Sequence, residues 1–299
     1  MAKGYPIQEI KQKIVDVLAN SKTGLSGVEI SEKLGVNRVT MAKYLNMFAT
    51  EGMIGQKNIG NLNLWFLEDD VEQFEFPADY FRIKSKYLEL LTQRNSHKLY
   101  NFIRNCIHSN VNTSKLMYEI ILPASQSIHE LFEQGKIGKS ELKLLEKIIF
   151  NSIQMLNQID AKTDERKNVL IISADSHSAI LGEAASASYH YEGWNVFSLG
   201  DMSDSIDVMF DLDLQKFLAK IWSKNIGVMI IAIFSTTEEG LKFFAQAGNA
   251  SKEKFGKNLK LILCGNMKKK ASIKADLVAS DLESILQWSQ TTFEHFTKK

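Results

Sequence analysis

From Asn168 onward the chain alternates short apolar runs with helix-length amphipathic segments, and few folds accommodate that alternation. Val169–Ser173, Val196–Ser198, Val228–Phe234 and Leu259–Leu263 are almost wholly apolar, as strands covered on both faces must be. Helical patterns over Gly182–Tyr191, Leu214–Lys224 and Glu239–Lys254 separate them; a short strand at Asp276–Ala279 and a helix at Leu282–Phe296 follow. The pattern predicts a doubly wound parallel sheet of the flavodoxin or Rossmann kind over residues 166–299. Ligands of such sheets sit beyond the carboxyl ends of the strands. Asp175 and His177, two positions apart just after the first strand, are therefore the first candidates for a site. A neutral imidazole can supply a metal-ligand nitrogen while a carboxylate holds its other ring N–H. The competing reading is a surface loop in which Asp175 or Ser176 caps the next helix.

Residues 1–70 have a different pattern: helix, helix, helix, hairpin. Ile10, Ile14, Val17 and Leu18 share one face of the first helix, and Val28, Ile30 and Leu34 the apolar side of the second. Asn37 suits the N-cap of a third helix running from Arg38 to about Thr50. That helix is expected to bury Val39, Ala42, Leu45 and Phe48 and to leave Arg38, Thr40, Lys43, Tyr44 and Asn46 outward. Asn58-Ile59-Gly60-Asn61 is a turn signal between two short strands. The order resembles the winged helix-turn-helix of prokaryotic transcription regulators. The resemblance implies double-stranded DNA as partner, contacted by Asn37, Arg38, Thr40, Lys43, Tyr44, Lys57 and Asn61. The alternative is a winged helix used only for protein–protein contact. Glu29, Glu32 and Glu51 dilute the basic charge, so non-specific affinity for DNA is expected to be modest.

Between these parts lies an acidic joint, Glu68-Asp69-Asp70, followed by Phe74, Phe76 and Pro77, and then a purely helical pattern. Stripes such as Leu99/Phe102/Ile103/Ile107 and Leu142/Leu145/Ile148/Ile149/Ile153 predict a four-helix bundle over residues 78–162, with Pro123 near the start of its third helix. The fold expected for the whole is thus multidomain, α and α/β. The formal net charge is +1, which leaves nucleic-acid contact to a local basic face. Cys106 and Cys264 lie far apart in no zinc spacing, and no run is long enough to span a bilayer; a cytoplasmic protein without membrane contact is expected. His97, His108, His129 and His190 lack metal spacing. Lys268-Lys269-Lys270 is expected as a solvated loop, with contact to DNA phosphate or an anionic ligand as the alternative.

Several local features carry a second resemblance. Asp175-Ser176-His177 follows the first strand; Gly193-Trp194 precedes the second, which ends in Leu199-Gly200. Ser235 and Thr237 follow the third strand, and Cys264-Gly265 closes the next. Ile121-Leu-Pro-Ala and Leu131-Phe132-Glu-Gln-Gly-Lys-Ile-Gly lie in the helical segment. Over roughly Tyr80–Phe296 this resembles the cobalamin-binding module of methionine synthase, of corrinoid methyl carriers and of MerR-like light-sensing repressors. The resemblance implies His177 as lower cobalt ligand, oriented by Asp175, with Ser235 and Gly265 beside the displaced nucleotide tail and Phe132 covering the corrin from a helical cap.

The departures are specific. Ile180 stands where the family has a glycine, Thr237 where it has leucine, and Cys264 where it has the first glycine of a pair. Leu142-Lys143 stands where the photosensors have Glu-His, so light sensing is not expected. Taken together, the expectation is a non-enzymatic, homodimeric or homotetrameric transcription regulator that senses a corrinoid through His-ligated cobalt. The alternatives are a corrinoid methyl carrier, and a regulator whose pocket no longer takes cobalamin. For Ser235 and Thr237 the competing role is a turn and helix N-cap ahead of Glu238-Glu239.

Overall fold

A computed structural model describes residues 6–21, 24–50, 53–59, 62–67, 74, 76, 79–109, 111–205, 207, 209–265 and 274–297. Asn61, Lys268–Lys270 and the acidic joint at 68–70 lie outside them. The chain divides into two compact units, residues 1–74 with 100–109, and residues 75–99 with 110–299.

The first unit begins with α1 (Ile7–Ala19), β1 (Leu25–Ser26), α2 (Gly27–Leu34) and α3 (Arg38–Thr50), followed by the strands β2 (Ile54–Ile59) and β3 (Leu62–Leu67). The strands pair antiparallel in the order β1-β3-β2. β1 is two residues long and was not expected from the sequence, because a pair has no readable period. Ser26 ends it and starts α2 through a reciprocal capping box: Glu29 N–H donates to Ser26 Oγ, and Ser26 N–H donates to Glu29 Oε2. Ile10, Ile14, Leu18, Ile30, Met41, Leu45, Phe48, Ile54 and Trp65 form its core.

The phase of α3 differs from expectation. Met41, Leu45 and Phe48 point inward, at i, i+4 and i+7, whereas Val39 is 67% exposed and Ala42 is exposed. Two apolar registers compete on this helix. Met41 shares its face with Leu45 and Phe48, the two residues both registers bury, and Val39 and Ala42 fall outside the core. Tyr44, expected outward, is half-buried and stacks on Phe48 with ring centroids 6.2 Å apart.

The central helices are α4 (Tyr80–Thr92), α5 (Ser96–His108), α6 (Thr113–Leu116), α7 (Leu122–Glu133) and α8 (Lys139–Asn157). Most of α5 groups with the first unit, where Phe102 meets Phe74 edge-on at 5.3 Å. α6 and α7 are one continuous helical segment, joined by a π-helical stretch over Met117–Ile121. Pro123 sits at the first positions of α7, near a helix start as expected, and helical backbone continues upstream of it through the π stretch. Proline has no N–H and its ring crowds the carbonyl four residues back; the wider π turn immediately before α7 absorbs both defects.

The second unit ends in β4 (Lys167–Ser173), α9 (Ala179–Tyr191), β5 (Asn195–Asp201), α10 (Phe210–Ile221), β6 (Val228–Phe234), α11 (Glu238–Phe255), β7 (Leu259–Cys264), β8 (Leu277–Ala279) and α12 (Leu282–Thr297). The five strands are parallel, in the order β5-β4-β6-β7-β8. Alternate residues of β4 serve the two faces. Leu170 and Ile172 join a core with Leu214 and Leu218 of α10 and Leu241 and Phe244 of α11. Ile171 and Ser173 face Gly182 of α9. α9 is rich in alanine and serine because it is covered on both sides, by the sheet and by α6 and α8. A Tyr189–Ser289 hydroxyl pair, 2.7 Å apart and buried, ties α9 to α12.

Candidate functional site

The strand order sets the site. The chain steps from β4 outward to β5, then returns across to β6 on the other side, so the order reverses between β4 and β6. A crevice opens outside the carboxyl ends of the strands at such a reversal. Asp175 follows β4 and Ser235 follows β6, and the two meet across that point: Ser235 Oγ donates to Asp175 Oδ2 at 2.8 Å.

The rest of the loop is built around this pair. Thr236 N–H donates to Asp175 Oδ2 and Ser178 N–H to Asp175 Oδ1, at 2.8 and 2.9 Å. Burial pushes the Asp175 carboxyl upward, but the bonds from Ser235, Thr236 and Ser178 outweigh it and hold the group below the usual carboxylate value. Both oxygens are therefore committed to the two loops, and neither serves His177. The expected orienting contact is replaced because the donors of buried Ser235 and Ser178 need an acceptor more than a solvated imidazole does. His177 and Ser176 are exposed, and His177 has no hydrogen-bond partner among the described residues.

Ser178, which the motif reading passed over, is buried, and its hydroxyl donates to the carbonyls of Asp175 and Phe234. It stitches the ends of β4 and β6 together. Its serine-after-histidine position carried no sequence signal. Thr237 performs the capping role: its side chain accepts from Gly240 N–H at 3.1 Å and starts α11. Ser235 also accepts from Thr237 N–H, so capping and the Asp175 bridge coexist in one turn.

Two glycines permit the close approach. A Cβ on Gly265 would lie 2.2 Å from the Ser235 carbonyl oxygen, and one on Gly182 would lie 2.3 Å from Ser173 Oγ. Gly182, five positions after His177, is thus where α9 closes onto Ser173 of β4. Cys264 is 1% exposed, and burial pushes its thiol up to about 12. Phe132, on α7, is 38% exposed.

On the other unit, Asn37, Arg38, Thr40 and Lys43 are exposed around the first turns of α3, and Lys57 is exposed on β2. Asn37 Oδ1 accepts from Val39 N–H at 2.9 Å, confirming its place at the helix start. Arg38 pairs with Glu32 at 2.9 Å, both well exposed, a contact that costs little to release. No group of three or more metal-binding side chains occurs among the described residues. A single imidazole suffices for a cofactor that brings its own equatorial ligands, and exposed, unbonded His177 fits that donor chemistry. No helix among the described residues is long and apolar enough to cross a membrane.

No protein-family model matches the chain, and no curated protein matches its sequence. Among solved structures, the monomethylamine corrinoid protein of Methanosarcina barkeri is similar with a TM-score of 0.53 at 13% identity, over 72% of this chain and 98% of that one. The methanol:cobalamin methyltransferase complex MtaBC from the same organism aligns at a TM-score of 0.35 and 11% identity, over 75% of this chain and 86% of that one. The first likeness is one of fold: the α/β architecture here is shared with a corrinoid protein.

Proposed function

We propose that this chain is a DNA-binding transcription regulator whose second unit binds a corrinoid. The observation that carries the DNA-binding half is the two-sided α3: Met41, Leu45 and Phe48 lock one side into the core, and Asn37, Arg38, Thr40 and Lys43 are exposed toward its amino-terminal end, Asn37 capping the helix and Arg38 in a loose surface pair with Glu32. A winged-helix reader needs that division, since its second helix must be rigid behind and polar in front to enter a major groove. Lys57 on the β2–β3 hairpin adds a phosphate contact beside it.

The corrinoid half rests on exposed His177 at the β4/β6 reversal and on the fold shared with a corrinoid protein. When bound, a corrinoid supplies a cobalt centre open to ligand exchange. His177 would provide the protein nitrogen. The Asp175–Ser235–Thr236 bonds hold its loop in place, and Gly265 lets the loop after β7 close directly onto the Ser235 carbonyl. Ligand-dependent packing in this unit would then alter how two reading heads of an oligomer space themselves on an operator.

A second reading, a corrinoid methyl carrier, is favoured by the near-complete coverage of the M. barkeri protein. One experiment separates the readings: selection of genomic fragments by purified chain, with and without hydroxocobalamin, in the dark. Recovery of a recurring palindromic site, with affinity that changes on adding cobalamin, supports the regulator. A retained corrin band with no selected DNA favours the carrier. Selected DNA with no retained corrin supports a regulator whose second unit does not take cobalamin.

A further inference from the structure

We propose that the second unit carries another small-molecule site, at the amino-terminal edge of the parallel sheet, for a planar aromatic molecule bearing one carboxylate or phosphate. It lies at the opposite edge from the Asp175–Ser235 pair and does not depend on that reading.

A cavity of about 520 Å³ opens between the starts of β6 and β7 and the last turns of α12. That volume falls within the roughly 300–1,000 Å³ typical of small-ligand pockets. Its walls are aromatic. Trp288, His295 and Phe296 recur at i, i+7 and i+8 along α12, which places them on one stripe of the helix, and Val228 meets them from β6. The stripe borders the face that α12 buries: Trp288 and His295 lie beside it, and Phe296 is seven residues on from buried Ser289. Trp288 and Phe296 are only half-buried, so each keeps ring surface toward the cavity.

The polar groups select charge. Lys257 and Lys260 border the cavity with Asn258 between them, and no carboxylate is among its described lining residues. The nearest acid, Asp276, lies 4.0 Å from Lys260 but is held by Lys252 at 2.6 Å through both oxygens, so Lys260 is left largely uncompensated. Lys257, the Asn258 side chain, Trp288 and His295 have no hydrogen-bond or ion-pair partner among the described residues. The closing carbonyls of α12 oppose an anion with about half a charge, less than the two ammonium groups offer. Aromatic walls with a cationic mouth and free N–H donors fit a flat ring that ends in an acid group.

The test titrates the full chain with 2-naphthoate, 1-naphthyl phosphate and the neutral isostere 2-naphthalenemethanol, followed by ligand-observed NMR. Binding of an acid with a Kd on the order of 1 mM or tighter is expected for probes of this size. Whichever acid binds more tightly identifies the carboxylate or phosphate source. The alcohol should bind at least tenfold more weakly. The double variant Lys257→Gln/Lys260→Gln should weaken the acid about tenfold and leave the alcohol unchanged, and Trp288→Leu should weaken both. Because both lysines are at least partly exposed, the charge variant tests binding without disturbing the core. Equal affinity for acid and alcohol, an unaltered acid Kd in the lysine variant, or no binding of any probe would overturn the proposal.

Discussion

At the scale of single residues, the site is governed by atoms that have no room to move. Gly265 sits against the Ser235 carbonyl, and Leu241 Cδ1 lies 3.1 Å from where its Cβ would be. Gly265→Ala must therefore push the β6 and β7 loops apart. Overpacking of this kind costs about 1–3 kcal/mol. Urea unfolding of the variant should show that loss with an unchanged m-value; an unchanged midpoint would mean the two loops yield to an added methyl group. Cys264 makes the opposite point. Its thiol is buried and pushed up to about 12, so it stays protonated and inert at ordinary pH. Mass-spectrometric labelling with iodoacetamide at pH 8 should leave Cys264 unmodified in the native chain and modify it in urea. Native labelling would show that the loops after β6 and β7 open readily.

Between elements, the contact of α6 with α9 contains an unusual group. Glu192 follows α9 and accepts from Ser114 Oγ at 2.9 Å; burial pushes its carboxyl above the usual value, against the bond from Ser114 and the charge of Lys167. A carboxyl with a higher pKa folded than unfolded costs stability once both states are ionised, and nothing where both are protonated. Glu192→Gln keeps an acceptor for Ser114 and removes the charge. It should stabilise the chain at pH 8 by up to about 1 kcal/mol, a modest figure because the group keeps some solvent. The gain should fade as pH falls toward 4.5. Urea midpoints at pH 8 and pH 5 decide it: a gain as large at pH 5 would assign the effect to packing rather than charge. Elements also show where periodicity suffices. Strands such as Val228–Phe234 were legible because both faces are covered, which demands a continuous apolar run. In α3 two apolar registers were possible, and the tertiary packing buries Met41 and leaves Val39 exposed.

For the whole molecule, the proposed functions reside in separate units, so they should be separable. Arg38→Ala/Lys43→Ala touches only the exposed side of α3. It should weaken DNA binding and lower the slope of log K against log salt by about 2. Corrinoid retention should be unchanged. His177→Ala should shift or abolish the retained corrin band and leave basal DNA affinity intact. Fluorescence anisotropy and absorbance on the same preparations check both. Loss of DNA binding in His177→Ala without cobalamin present would contradict the assignment of roles.

The order of elements, the parallel sheet and the placement of Asp175 and His177 after its first strand were set by local sequence, because burial on two faces and turn chemistry are local demands. The bridge that defines the site was not. Asp175 and Ser235 are 60 positions apart, and only the reversal of strand order brings their loops together. Tertiary structure also gave the Asp175 carboxylate to Ser235, Thr236 and Ser178 instead of to the neighbouring histidine, since the donors of buried Ser235 and Ser178 left without an acceptor cost more than an imidazole left in water.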